Sequence, residues 1–160
     1  MNEIKKINID HHISNQNFAE YNHVIPDASS TSELVYGLLE KEKITEEIAK
    51  ALYLGIVHDT GVFQYSCATP STFRAAAALL EKGFDAPKLI QKTYYEKTYA
   101  QNQILGHALL NSSLCLDGKC IVSYLNKKEM DEFGVTPKDL DGVVAQLRNT
   151  RGAEVAVFLY

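Results

Sequence analysis

A short apolar stretch near the start of the chain ends in an acid and two histidines. Its isoleucines predict a buried strand over residues 4–9, and Asp10, His11 and His12 follow that strand directly. In open α/β sheets, functional residues collect just past the carboxyl ends of strands. An acid and two imidazoles placed there can ligate a divalent metal and leave one imidazole for a substrate. The alternative is a polar loop in which both histidines face water.

Composition narrows the class of protein. The chain has 160 residues, 46% hydrophobic and 22% charged, with a net charge of -4, which suits one medium domain or one domain and part of another. It carries no broad basic footprint for nucleic acid, although metal ions can still offset the charge of a short nucleotide. The three cysteines show no CxxC spacing and predict free thiols. Neither a signal peptide nor a membrane span is evident, so we expect a cytoplasmic protein with no membrane partner.

Capping residues predict where three helices begin in the first half of the chain. Ser30 is followed three positions later by Glu33, which is the spacing of a capping box. Thr45 predicts the start of a second helix, and Thr69 followed by Pro70 predicts a third.

The second helix has an apolar stripe and a clear end. Gly61 is expected to terminate it, whereas residues 13–29, before the first helix, are expected to be irregular. The residues predicted to form its buried face are Ile48, Ala51, Leu52, Gly55 and Ile56.

Beyond residue 84 the pattern changes from helix to strand. Residues 87–111 predict further helix, and Asp117-Gly118 between two apolar stretches predicts a tight hairpin. Asn126 and Gly134 bound a predicted helix, another follows Thr136-Pro137 and runs through Leu147, and residues 153–159 predict a buried strand. The fold class is therefore α/β, with three predicted segments: 1–84, a helical linker 85–112, and 113–160.

A second candidate site lies in the segment between Gly55 and Gly61. Asp59 sits there at the predicted helix end, where a carboxylate opposes the helix macrodipole unless a cation binds it. An ordinary helix-terminating aspartate is the alternative. Asp59 together with Asp10 or His11 would give mixed oxygen and nitrogen ligation, which suits manganese-like ions.

Four segments together resemble the DHH-family phosphoesterases, specifically the bacterial oligoribonuclease/pAp phosphatase type. They are Asp10-His11-His12, Ser14-Asn15, residues 29–33 and residues 55–66. The resemblance implies a DHH-type parallel-sheet domain, here its C-terminal part, and the segments 140–144 and 154–157 resemble the start of the family's DHH-associated α/β domain. It also implies two Mn²⁺ ions and hydrolysis of 3'-phosphoadenosine 5'-phosphate (pAp) or very short RNA. Inorganic pyrophosphatases and cyclic dinucleotide phosphodiesterases use similar triplets.

The resemblance also implies roles for individual residues. His11 and Asp59 match metal ligands, Asp10 matches an acid that orients an imidazole or the metal shell, and His12 matches the histidine that meets the substrate phosphate. Asp10 and His12 are thus the predicted catalytic residues. Arg148 is a further candidate for substrate binding because a guanidinium suits phosphate.

The sequence departs from the family pattern at both ends. The family's His-x-x-x-Asp-x-Asp motif, the aspartate of its second motif and its Gly-Gly-Gly-His segment are absent from these 160 residues. We therefore expect a fragment with an incomplete metal site and an exposed strand edge near residues 4–9. Self-association, for example as a homodimer, would cover that edge. The alternative is a non-catalytic remnant or binding module of the same fold.

Overall fold

The structure combines helices with a parallel strand pair and a mixed three-stranded sheet, which confirms the predicted α/β class. The computed structural model describes residues 5–160 and divides into two compact units, the first ending at Glu96 and the second beginning at Lys97. That division falls within the range in which the sequence predicts a linker. Within residues 5–160, no helix is both long enough and apolar enough to cross a membrane.

The described residues of the first unit form two strands and four α-helices. They are β1 (Ile7–Asp10), β2 (Tyr21–Val24), α1 (Thr31–Leu38), α2 (Glu46–Asp59), α3 (Pro70–Leu80) and α4 (Ala86–Ile90), with a 3-10 turn at Lys41–Lys43. A π-helical turn, Gln91–Tyr95, continues α4.

Strands β1 and β2 form a parallel pair in which Asp10 lies opposite Val24. The prediction that residues 13–29 are irregular was wrong, because β2 lies inside them; its polar sequence gives no hydrophobic signal, and only pairing with β1 makes it a strand. Ten residues, 11–20, connect the two strands without a helix.

The predicted buried strand is buried in a different pattern from the one expected. Ile7 is 71% exposed, whereas Asn8 is buried. Ile4 lies outside the described residues. The apolar residues of this segment therefore do not all face a core, and self-association through the exposed edge stays a prediction.

The predicted helix starts are confirmed. Ser30 Oγ accepts the N–H of Glu33 at 3.0 Å, Thr45 caps α2, and Thr69 precedes α3 with Pro70 in its first turn. The first cap differs from a capping box in one respect: the Glu33 carboxylate accepts the N–H of Ser29 rather than that of Ser30.

The buried face of α2 is rotated from the predicted one. Ile48 is 38% exposed and Ala51 is exposed, so the predicted stripe was partly wrong. Helices α1, α3 and α4 all contact α2, so no single apolar stripe marks its core side. The buried residues are Ala49, Leu52, Tyr53, Ile56 and Val57.

The second unit contains a three-stranded sheet and three α-helices. They are α5 (Tyr99–Leu110), β3 (Ser113–Cys115), β4 (Cys120–Tyr124), α6 (Lys127–Phe133), α7 (Val143–Arg148) and β5 (Val155–Leu159), with a 3-10 turn at Pro137–Leu140. The hairpin predicted at Asp117-Gly118 is confirmed, since β3 and β4 pair antiparallel across it.

Two predictions in this unit need correction. The helix expected from Thr136-Pro137 through Leu147 is interrupted at Gly142, whose φ of +93° ends the 3-10 turn and starts α7. The final strand β5 pairs parallel with β4, but it is less buried than predicted because both of its terminal residues are exposed.

The buried face of α2 can be tested with a matched pair of isoleucine variants. Ile56→Ala should lower the free energy of unfolding by about 2–5 kcal/mol, because Ile56 is fully buried and the cavity is lined by core residues. Ile48→Ala, on the same helix, should lower it by about 1 kcal/mol or less. Urea unfolding followed by circular dichroism measures both values, and equal losses would contradict this packing.

Candidate metal and phosphate site

The structure brings His11 and Asp59 together. Asp59 is the last residue of α2, and His11 directly follows β1. The His11 Nε2 atom lies 3.6 Å from the Asp59 Oδ2 atom, with 19% and 43% of the two side chains exposed. Residues almost fifty positions apart thus meet at a surface that solvent can reach.

The free nitrogen of His11 faces the carboxylate. The Nδ1 atom lies 3.3 Å from the carbonyl oxygen of Ala28, and because a carbonyl can only accept, Nδ1 carries the proton. In the neutral ring, Nε2 then presents a lone pair to Asp59 Oδ2. Two acceptors this close repel each other unless a proton or a metal ion lies between them.

The separation of the two atoms also fits a shared metal ion. Ligand atoms that each lie about 2.1 Å from one divalent ion are at most about 4.2 Å apart. A nitrogen and an oxygen donor together suit manganese-like ions. Among residues 5–160, however, no group of three or more His, Cys, Asp and Glu side chains is arranged to hold a metal. Among the described residues, His11 and Asp59 can therefore supply two ligands to a metal ion, which needs further ligands.

A half-buried acid network holds the segment behind His11. The Glu33 carboxylate accepts hydrogen bonds from Ser29 Oγ at 2.6 Å and from Thr72 Oγ1 at 2.9 Å. Burial raises the pKa of Glu33, but hydrogen bonds from Ser29, Ser71 and Thr72 outweigh it, so the pKa lies below its usual range. Since Ser29 is the neighbour of Ala28, this network fixes the carbonyl that orients the His11 ring.

Asp10 organises the other histidine. One oxygen, Oδ1, accepts the backbone N–H groups of His11 at 2.8 Å and His12 at 3.2 Å, and also the His12 Nδ1–H at 2.6 Å. The second oxygen accepts the Asn15 side-chain amide at 2.5 Å. Hydrogen bonds from Asn15 and His12 hold the pKa of the Asp10 carboxyl well below its usual range. Asp10 is therefore an anion that fixes the His12 ring, while the ring itself stays exposed with Nε2 free.

Asparagines that the sequence analysis did not assign to the site support Asp10 from below. Asn8 donates to Asn15 Oδ1 at 2.9 Å and to Asn22 Oδ1 at 3.1 Å. Asn8 and Asp10 are two positions apart in β1 and so share one face of the strand. Polar residues at alternate positions of β1, followed by several asparagines in the next residues, are the sequence signal that could have identified these supporting asparagines.

His58, next to Asp59 in the sequence, contacts residues other than His11. His58 Nε2 lies 3.4 Å from Thr93 Oγ1, and its ring meets Tyr94 edge-on. Arg148 is exposed in the last turn of α7, in the second unit, and its role in substrate binding stays a prediction.

Comparison with known proteins shows what this chain is similar to. The sequence model described as "DHH family, N-terminal domain" matches residues 1–56. The chain is 32% identical over 159 residues to "Bifunctional oligoribonuclease and PAP phosphatase NrnA" of Bacillus subtilis (strain 168), covering 96% of this chain and 50% of that protein. It is 30% identical over 155 residues to the protein of the same name from Thermus thermophilus, covering 96% of this chain and 46% of that protein.

A solved structure is also similar. The crystal structure of an exopolyphosphatase-related protein from Bacteroides fragilis matches with a TM-score of 0.88 and 29% identity, covering 93% of this chain and 45% of that one. The chain thus spans about half the length of the curated relatives it matches.

The Glu33 network makes stability depend on pH in a defined direction. The folded-state pKa of Glu33 lies below its reference value of 4.5, so its contribution is complete above pH 4.5 and is lost as the pH falls towards the folded pKa. Glu33→Gln should lower the free energy of unfolding at pH 7 by about 1 kcal/mol. The difference from wild type should shrink between pH 5 and pH 3 in urea titrations. Glu42→Gln, in the exposed turn after α1, is the control; a constant difference for Glu33→Gln would contradict this role.

Proposed function

The chain belongs to the DHH family, and from that premise we propose that it acts as a manganese-dependent phosphoesterase. The observation that carries the proposal is the His11 Nε2 lone pair facing Asp59 Oδ2 across 3.6 Å. A divalent cation removes that repulsion and brings the positive charge that a phosphate ester needs. The chain itself has a net charge of -4, so the attraction for phosphate must be local.

His11 and Asp59 would hold the metal, which when bound supplies positive charge and an activated water for attack on phosphorus. Ligands beyond these two come from water or from groups outside the described residues. The Ala28 carbonyl keeps the His11 proton on Nδ1, so that Nε2 stays available.

His12 would bind the phosphoryl group. Asp10 accepts its Nδ1 proton, which fixes the ring and leaves Nε2 towards solvent. A protonated ring could then donate its Nε2–H to a phosphoryl oxygen, where negative charge builds during the reaction. Asp10 is thus proposed to act through His12, and Arg148 is proposed as a further phosphate contact.

The proposed substrates are very short oligoribonucleotides and 3'-phosphoadenosine 5'-phosphate. Support comes from the relatives named oligoribonuclease and PAP phosphatase, which are similar across 96% of this chain.

We also propose that the protein works in the cytoplasm, because its three cysteines are free thiols. A homodimer is proposed on the exposed edge at Ile7.

A non-catalytic binding module is the second candidate. One observation favours it: among residues 5–160, only two metal-ligating side chains come together rather than three or more. A module of this kind would bind Mn²⁺ and nucleotide without turning the nucleotide over.

The metal ligands can be tested by substitution. His11→Ala and Asp59→Asn should each weaken Mn²⁺ binding at least about tenfold, because each removes one of two protein ligands. Asp27→Asn, an exposed aspartate in the same unit, should leave it unchanged. Free Mn²⁺ measured by electron paramagnetic resonance gives the affinities, and equal binding by all variants would refute the site.

Catalysis by the purified chain is expected to be slight. With Mn²⁺ present, release of AMP from 3'-phosphoadenosine 5'-phosphate and of mononucleotides from a trinucleotide should be weak, because two protein ligands leave the metal loosely held. Chromatography of the products measures both reactions. Rapid turnover that His12→Ala leaves unchanged would contradict the proposed role of His12, and binding without turnover would favour the module.

A further inference from the structure

A strained turn directly follows the Asp59 metal ligand. Gly61, Val62 and Phe63 have φ values of +56°, +57° and +63°, so three consecutive residues are left-handed. Glycine adopts this conformation readily, but a β-branched residue such as Val62 does so only under strain. Strain of this kind persists where surrounding contacts enforce it and is concentrated at functional sites.

Thr60 enforces the turn from inside. Its side chain is fully buried, and its Oγ1 donates to the Ile56 carbonyl at 2.6 Å while accepting the Phe63 N–H at 3.0 Å. Its own carbonyl accepts the N–H groups of Gln64 at 2.9 Å and Tyr65 at 3.0 Å. One residue therefore ties the last turn of α2 to the three left-handed residues.

Tyr65 closes the turn from outside. A Cβ atom at Gly61 would lie 2.5 Å from the Tyr65 ring, so the ring rests directly on the glycine. Val62 and Phe63 meanwhile pack against the core of the first unit. These contacts hold a conformation that Val62 and Phe63 would otherwise leave.

We propose that Thr60 is a positioning residue that fixes the Asp59 carboxylate opposite His11. This inference rests on the proposed function, since it concerns the same metal pair. Asp59 stands at the helix end, where the regular backbone hydrogen bonds stop and the final residues fray. Its carboxylate is 43% exposed, and the His11 ring lies across the site from it. The direction of that carboxylate thus depends on the backbone that Thr60 ties down.

The experiment compares two variants of Thr60 with a buried-hydroxyl control. Thr60→Val keeps the shape of the side chain but removes both hydroxyl hydrogen bonds, whereas Thr60→Ser keeps the hydroxyl. Ser123→Ala is the control, because Ser123 is also fully buried and donates to the Ala108 carbonyl in the second unit. Mn²⁺ affinity, urea stability and the hydrogen exchange of the Phe63 amide are measured for each chain.

We expect Thr60→Val to weaken Mn²⁺ binding about tenfold, as loss of an orienting contact does, and to expose the Phe63 amide to exchange. Thr60→Ser should stay within about twofold of wild type in affinity, and Ser123→Ala should lose stability without a change in affinity. A purely structural Thr60 would give Thr60→Val lower stability with unchanged affinity, which overturns the proposal.

Three further outcomes separate this inference from the proposed function. An unprotected Phe63 amide in the wild-type chain overturns the inference even where Thr60→Val fails to fold. Absence of Mn²⁺ binding by the wild-type chain overturns the proposed function and the inference together. Wild-type binding that His11→Ala abolishes and Thr60→Val leaves intact overturns the inference alone.

Discussion

The carbonyl of Ala28 determines which nitrogen of His11 carries the proton. It accepts a hydrogen bond from Nδ1–H, and that contact leaves the lone pair on Nε2 directed at Asp59. If the proton were on Nε2 instead, a donor would face the carboxylate, and an ordinary hydrogen bond would replace the proposed metal pair. The buried hydroxyls around Glu33 matter for the same reason, because they hold the segment that carries Ala28. The hydrogen bonds around Glu33 thus help to determine how the His11 ring is presented at the surface.

The two histidines of the triplet are held in opposite ways. His11 is oriented by a neutral carbonyl and keeps an unprotonated nitrogen towards the site, whereas His12 is oriented by the Asp10 carboxylate. The carboxylate places a full negative charge behind the His12 ring, whereas the carbonyl places only a dipole behind the His11 ring. This difference between adjacent residues of one type supports the proposal that His11 binds a metal and His12 a phosphate.

The sequence predicted the features that depend on local chemistry. Helix starts at Ser30, Thr45 and Thr69 were predictable because a capping side chain bonds to its own helix. The proximity of His11 and Asp59 was anticipated because an imidazole and a carboxylate near the ends of predicted elements can ligate one cation.

Features that depend on distant partners could not be predicted in this way. Strand β2 exists through pairing with β1, and the core side of α2 is chosen by three other helices. Asn15 was assigned no role from the sequence, but it hydrogen-bonds to Asp10, a role set by how the loop folds back rather than by spacing. The left-handed turn at Val62 gives no sequence signal, because valine is not a residue that favours it.

The connection between the parallel strands has a consequence for how this region can change in evolution. Returning along a four-residue strand requires about 13 Å, and ten residues can reach roughly 33 Å, so residues 11–20 have slack. The chain uses this extra length to fold back and place Asn15 against Asp10. Deleting even a few residues would remove this amide before it prevented the strands from pairing. Shortening of residues 11–20 should therefore disable the site well before it disrupts the fold.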